Sequence, residues 1–444
     1  MSESSVVHRQ SWATILLLSL LPQPLWAEAD PLPEPLTLTY ALQQASADHP
    51  QLQIANAGIA RARAQGLQVE ADNGLAVTLS ARLRWIEPQP SNIDQSHDDH
   101  RLSLFVDKPL YDFGRSSAKE QASHAALQGS EQLLRDALNR HRIAIMAAFF
   151  DVLLADQAYA RDTETMTMNF LRYDRARQRN ELGQLSDIDL MEKRSLFQAA
   201  RVLEARSIAA QRTTRARLAN LLNRPGQLPS ELQAPQVDND ARHVPEDVEP
   251  WLTQLEQGNP LLLSMQAQQA RARAQLALAQ AEDQPQLTGR LELSEYTRDF
   301  GGNDVWRAGV QLDVPLLTGG RSDALQARQR AELQQISARL EQQRRDLRQT
   351  LLELWSELQS LRMEQQQLAA EQDFRELYLD RSRARYELEV ASDLGDSMVR
   401  ISELQYRVLK NRFATALAWA QLDALLGITP GDRDTQSIKQ RSKQ

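Results

Sequence analysis

The chain contains no cysteine among its 444 residues, which removes disulfides, thiolate metal sites, cysteine nucleophiles and acylation at a cysteine. That absence leaves the compartment open. Aromatic residues make up only 5% of the chain against 42% hydrophobic overall, a balance suited to long packed helices rather than a compact α/β enzyme. The net charge is −8 and the arginines are spread over both halves, so no basic patch points to a nucleic-acid partner. Past the N-terminus no run reads as long and apolar enough for a membrane helix; a membrane placement would have to use strands. Phosphate loops, zincin helices and nucleophile elbows are missing too, so no catalysis and no cofactor is expected. The run His97-Asp98-Asp99-His100 has metal-ligating residue types, but no third ligand cluster accompanies it and it reads as a polar loop.

What the chain does have is an internal duplication. Asp107-Lys108-Pro109-Leu110-Tyr111-Asp112-Phe113-Gly114-Arg115 returns as Asp313-Val314-Pro315-Leu316-Leu317-Thr318-Gly319-Gly320-Arg321. Ala60-Arg61-Ala62-Arg63-Ala64-Gln65 returns letter for letter at Ala270 to Gln275, and His49-Pro50 pairs with Asn259-Pro260. The offset between copies drifts only from about 210 to about 204 residues. Two tandem structural repeats follow, at 30–224 and 251–427, joined by a Pro-containing linker at 225–250 and followed by a tail at 428–444. Residues 1–29 read as a secretory signal: a basic start at His8 and Arg9, an apolar stretch from Ala13 to Leu21, and small residues around Ala27 and Ala29 where cleavage would fall.

Each repeat alternates in polarity over two segments, 77–86 and 100–108 in the first, 286–296 and 305–314 in the second. Val77, Leu79, Ala81, Leu83 and Trp85 oppose Thr78, Ser80, Arg82 and Arg84, and Trp306, Ala308, Val310 and Leu312 oppose Arg307, Gln311 and Asp313. Strands of about ten residues, apolar on one side and charged on the other, suit a barrel with lipid outside and water inside, though a two-faced hairpin packed on helices shares the pattern. Four strands cannot close a barrel, since about eight are the fewest that do. Strands from several chains are therefore needed, and three chains would supply a closed set.

Pro109, Gly114 and Arg115, with Pro315, Gly320 and Arg321, mark the turns where strand gives way to helix. Long helical patterns follow at 115–182 and 321–388, each about 100 Å at about 1.5 Å per residue. Leu340, Leu347, Leu351, Leu354, Leu358, Leu361, Gln365 and Leu368 step by fours and threes, a heptad seam that predicts coiled-coil packing. Each long helix ends in a hairpin containing Leu182, Gly183 and Ser186, or Leu388 and Ser392, with return helices at 187–222 and 393–426.

In the order of these turns, hairpins and Ala-Arg repeats, the sequence resembles the TolC-like outer-membrane factor family. The resemblance implies a mainly α fold with β: a long α-helical coiled-coil barrel plus a transmembrane β-barrel completed by trimerisation, four strands per chain. It implies an outer-membrane exit duct with a periplasmic helical domain, serving a tripartite efflux or type I secretion system. Its partners would be two further copies, a periplasmic adaptor, an inner-membrane pump of RND, ABC or MFS type, and outer-membrane lipid. The adaptor would dock on the hairpins at Leu182, Gly183, Ser186, Leu388 and Ser392. Asp187, Asp189, Glu192, Asp393 and Asp396 would lie at a gated periplasmic entrance, where three copies of each carboxylate would attract cations; capping of helix N-termini is the alternative use. The family's second-half Asp falls on Gly395 and its hairpin Gly on Glu389 in this chain. A soluble periplasmic coiled-coil scaffold or adaptor is the competing reading.

Overall fold

The structure is a computed structural model and describes residues 32–431 except 46–47, 92, 228, 237–241, 299–303 and 389–392. The expected signal segment, the end of the tail and Ser392 lie outside the described residues. The elements run α1 (Leu38–Gln43), α2 (Pro50–Asp72), β1 (Ala76–Arg82), β2 (Arg101–Tyr111), α3 (Arg115–Glu181) and α4 (Asp187–Leu221). The second half repeats them as α5 (Glu249–Gly258), α6 (Pro260–Ala281), β3 (Gln286–Tyr296), β4 (Trp306–Asp313), α7 (Arg321–Glu387) and α8 (Leu394–Leu425). Both α3 and α7 have 67 residues, so the duplication survives in length even where the letters diverge.

Local chemistry sets the element starts. His49 and Asn259 cap α2 and α6, each accepting a backbone N–H through its side chain, with Pro50 and Pro260 at the first helical position. Gly114 and Gly320 precede α3 and α7 at φ of 95° and 82°, a left-handed conformation that favours glycine. The four strands form one antiparallel sheet in chain order.

Two expectations about the strands shift. The first strand stops at Arg82 rather than 86, leaving Trp85 in an isolated bridge to Asp98. The second runs through Pro109 to Tyr111, with Pro109 opposite Thr288 and a register shift before Tyr111. Pro109 is thus a strand residue, not the turn. The reason is pairing: β1 meets β2 only as far as Asp107, so beyond it β2 is an edge on that side and a missing N–H costs no ladder bond.

The helices carry the apolar interior. One cluster gathers Leu36, Leu42, Ile145, Met146, Phe149, Phe150, Val152, Leu218, Leu222 and Phe413, with Phe150 and Phe413 stacked at 4.4 Å. A second joins Leu252, Leu255 and Leu262 to the heptad positions Leu340, Leu351, Leu354 and Leu358 and to Trp419, Leu422 and Leu425. Among the described residues α3 does contain a stretch apolar enough to cross a membrane, contrary to the sequence reading. Ile145, Met146, Phe149 and Phe150 within α3 are buried in the first cluster, so part of this stretch belongs to the core of the helical part.

The linker docks rather than tethers. Leu36 bridges Leu232, Arg242 holds Asp423 through two hydrogen bonds of 2.9 and 2.6 Å, and the Trp355 indole donates to the Pro245 carbonyl. α5 already begins at Glu249, inside the stretch expected to be linker.

Candidate functional site

The sheet has reversed polarity. Its register sets Leu79, Leu104, Leu293 and Trp306 in one cross-strand row and Val77, Val106, Leu291 and Ala308 in the next. Because side chains alternate between faces, both rows share a side, and that side is open: Leu79 is 66% exposed and Trp306 65%. The opposite side carries Ser80, Ser103 and Ser294 in one row and Phe105, Glu292 and Arg307 in another. There the polar groups are the buried ones. Ser103, Glu292 and Ser294 are buried, the two serine hydroxyls lie 2.7 Å apart, and Arg101 pairs with Glu292 while donating to Ser103 at 2.8 Å. A water-soluble sheet buries its apolar side; this one satisfies its polar side and leaves the apolar side without protein. Beyond β1 and beyond β4 no strand pairs among the described residues, so both edges are free to add strands.

The strand-to-helix turns differ between repeats. In the first, the Asp112 carboxylate accepts the Ser116 N–H at 2.7 Å. Arg115 donates to the Ala281 and Glu282 carbonyls at 3.1 and 3.3 Å and to Gln286 at 3.2 Å. That guanidinium fixes the end of α6 to the start of α3. In the second, Pro315 follows the end of β4, no side chain caps α7, and the turn uses Gly319 and Gly320 at positive φ. Arg321 is exposed.

At the far end of the long helices, the α3–α4 hairpin is held by its own atoms. Gly183, at φ 70°, and Gln184 donate their N–H groups to Asn180 and Arg179, both at 2.8 Å; together these bonds form a Schellman closure. Ser186 caps α4 by accepting the Asp189 N–H at 3.2 Å and donating to the Asp189 carboxylate at 2.6 Å. Asp187 accepts from the Asn180 side chain at 2.9 Å, and Glu192 pairs with Lys193 at 3.2 Å. Around this tip Leu182, Ile188 and Met191 are 72%, 81% and 68% exposed, an unusual concentration of uncovered apolar surface. Leu388 at the end of α7 is 74% exposed.

The second pair of acids does different work. Asp393 precedes α8 but caps nothing with its side chain; its carboxylate accepts from the Tyr378 hydroxyl and from Ser382 at 2.8 Å. Those two hydroxyls hold the Asp393 carboxyl below the usual range, and the carboxylate in turn pushes the Tyr378 phenol up. Asp396 forms an ion pair with Arg172 of α3. Nearby, Arg161 reaches Glu403 at 3.1 Å and lies over the Tyr406 ring, and Ser402 donates to Glu164. On the other flank Arg407 grips Glu371 through two hydrogen bonds of 3.0 and 2.7 Å. α8 is therefore tied to α3 on one side and to α7 on the other. A Cβ at Gly395 would stand 1.9 Å from the Met168 methyl, so an Asp there would have to displace that side chain.

The sequence reading named the acids and missed their partners Arg172, Tyr378 and Ser382. The Asp396 partner is 224 positions away, and no local pattern singles out one arginine of α3. The His97 to His100 run serves its own loop: His97 stacks on Trp85 and pairs with Glu87, and Arg84 pairs with Asp99. Among the described residues no three such side chains are arranged to hold a metal ion.

The family model described as "Outer membrane efflux protein" matches residues 251–428. Protein CyaE of Bordetella pertussis is 28% identical over 243 residues, 53% of this chain; the match spans about half the length of that relative. A membrane protein from Pseudomonas aeruginosa superposes with a TM-score of 0.73 at 20% identity over 88% of this chain and 90% of its own. CusC gives 0.72 at 19% identity, covering 88% and 92%, and the Campylobacter jejuni CmeC outer membrane channel gives 0.72 at 14%, covering 91% and 89%. At such identities the agreement is one of fold.

Proposed function

We propose that this TolC-like outer membrane factor, with its outer membrane efflux protein domain at residues 251–428, is the passive exit duct of a tripartite efflux or type I secretion system. The observation that carries the reading is the reversed polarity of the sheet. An apolar face open on all four strands, a satisfied polar face and two free edges make sense when two further copies add eight strands to these four, closing a barrel with lipid outside and water within. The protein sits in the outer membrane, and the helical part projects into the periplasm as a tunnel. A periplasmic adaptor docks on the exposed tips at Leu182, Gly183, Ser186 and Leu388, with Ser392 beside them in the chain, and an inner-membrane pump of RND, ABC or MFS type supplies the energy. Asp187, Asp189 and Glu192 line the approach on α4.

Asp393 and Asp396 act as latches that hold α8 against α7 and α3 and keep the entrance narrow. The Arg172–Asp396 pair is half exposed, and such pairs contribute about 0–1 kcal/mol. That is weak enough for partner binding to release it. In planar bilayers Asp396→Ala should raise single-channel conductance, and Arg172→Ala should do the same; unchanged currents in both would remove the latch. For the duct itself, membrane fractionation and cross-linking should recover a trimer from the outer membrane. A soluble monomer or dimer would favour a periplasmic scaffold instead.

A further inference from the structure

We propose that the turn between β4 and α7 is a lipid anchor, in which Leu316 and Leu317 enter the inner leaflet of the outer membrane. The inference rests on the barrel reading above and adds a contact that the strands alone do not provide. Both leucines are 92% exposed, the highest values among the large apolar side chains of either strand-to-helix turn. They follow closely on the apolar stripe of β4: Trp306, Ala308, Val310 and Leu312 occupy alternate positions and are exposed, and past the strand end at Asp313 the exposed apolar side chains continue with Val314 and Leu316. At about 3.3 Å per residue the stripe from Trp306 to Leu312 is ~20 Å long. A tilt of about 40° brings its height to ~15 Å, which leaves part of the ~25 Å apolar band of such barrels for the residues that follow. Leu316 and Leu317 then fall at the lower border of the hydrocarbon, where Gly319 and Gly320 at positive φ reverse the chain and Arg321, exposed, follows at headgroup level.

The first repeat has the feature in weaker form, with Leu110 and Tyr111 at 51% and 59% exposed. Its stripe of Leu102, Leu104 and Val106 is interrupted by Lys108, and its turn is secured by protein, through the Asp112–Ser116 and Arg115–Ala281 hydrogen bonds. Both turns are tied to the chain at the end of α6, the second through Ser322 donating to Asp283, and the second also presents two adjacent leucines that are 92% exposed.

The absence of cysteine makes a clean test. A nitroxide on Leu317→Cys, in protein reconstituted into phosphatidylethanolamine and phosphatidylglycerol bilayers, is compared by collision with oxygen and with a water-soluble nickel chelate. Leu79→Cys on the strand face and Leu182→Cys at the helix tip serve as references. The label at 317 should match that at 79, with oxygen collisions exceeding nickel collisions several-fold, while 182 shows the reverse. If 79 behaves as lipid-exposed but 317 behaves like 182, the anchor is wrong and the barrel stands. If 317 is shielded from both reagents, a neighbouring copy covers the turn and the anchor is again wrong. Nickel access at 79 would overturn the barrel and the anchor together.

Discussion

The sheet and the helical part of this chain obey opposite rules about where apolar side chains go. In the helices the largest enclosed side chains are apolar, among them Phe149, Phe150, Phe413 and Leu351. In the sheet Ser103, Glu292 and Ser294 are enclosed while Leu79, Trp306 and Val310 stand open. On the proposed barrel reading the same chain is folded for two solvents. Water drives burial in the helices, and in the sheet the driving condition is that no backbone or side-chain polar group be left facing hydrocarbon.

The contrast can be attacked from either side, and the largest effect is expected in the helices. Phe413→Ala removes a ring stacked on Phe150 inside the core and should destabilise the chain by about 3–5 kcal/mol in denaturant titrations followed by circular dichroism. Leu104→Ala, on the open face, should cost far less in the same measurement in detergent. Equal losses would mean that the sheet has an ordinary core.

Slightly smaller is the effect of charge on the open face. Leu104→Arg near the middle of β2 should cost about 2–4 kcal/mol per chain in lipid and reduce the yield of folded trimer on gels. Arginine tolerated there without loss would place that face in water.

The third prediction concerns polar rings where the helices should be apolar. His141 is 1% exposed, stacks on His49 with ring centroids 4.2 Å apart, and neither of its ring nitrogens has a hydrogen-bond partner. Burial, then the neighbouring His49, lowers its pKa from 6.5 to about 4. The folded state therefore holds this ring neutral while the unfolded chain takes up the proton. Stability is full above about pH 6.5 and falls as pH drops towards 4, by about 2–3 kcal/mol. His141→Phe should flatten that part of the pH–Tm profile, and an unaltered slope would assign the titration elsewhere. The Arg101–Glu292 pair lies on the polar face of the sheet, whereas the buried imidazole of His141 in the helical core has no hydrogen-bond partner.

Much of this was legible from the letters because it is periodic and local. Alternation in 306–312 gave β4 its two faces, steps of four and three from Leu340 to Leu358 gave α7 its buried seam, and Ser186 before Asp187 gave α4 its cap. The duplication placed every element of the second half opposite one in the first. The less legible features depend on neighbours. Pro109 reads as a strand breaker until one knows that β1 pairs no further than Asp107. In the letters the apolar stretch of α3 does not read as long enough for a membrane helix, and the structure shows part of it packed against Leu218 and Phe413.

By itself the sequence determined the elements, their doubling and the polarity of each strand, since these follow from backbone geometry and side-chain spacing within a few residues. Tertiary structure alone decided that Asp393 would meet Tyr378 and Ser382 on α7 while Asp396 met Arg172 on α3. Every long helix here displays charges on several faces. Which of them find partners depends on how two helices of about 100 Å are turned against each other, and that is set by the sum of many distant contacts.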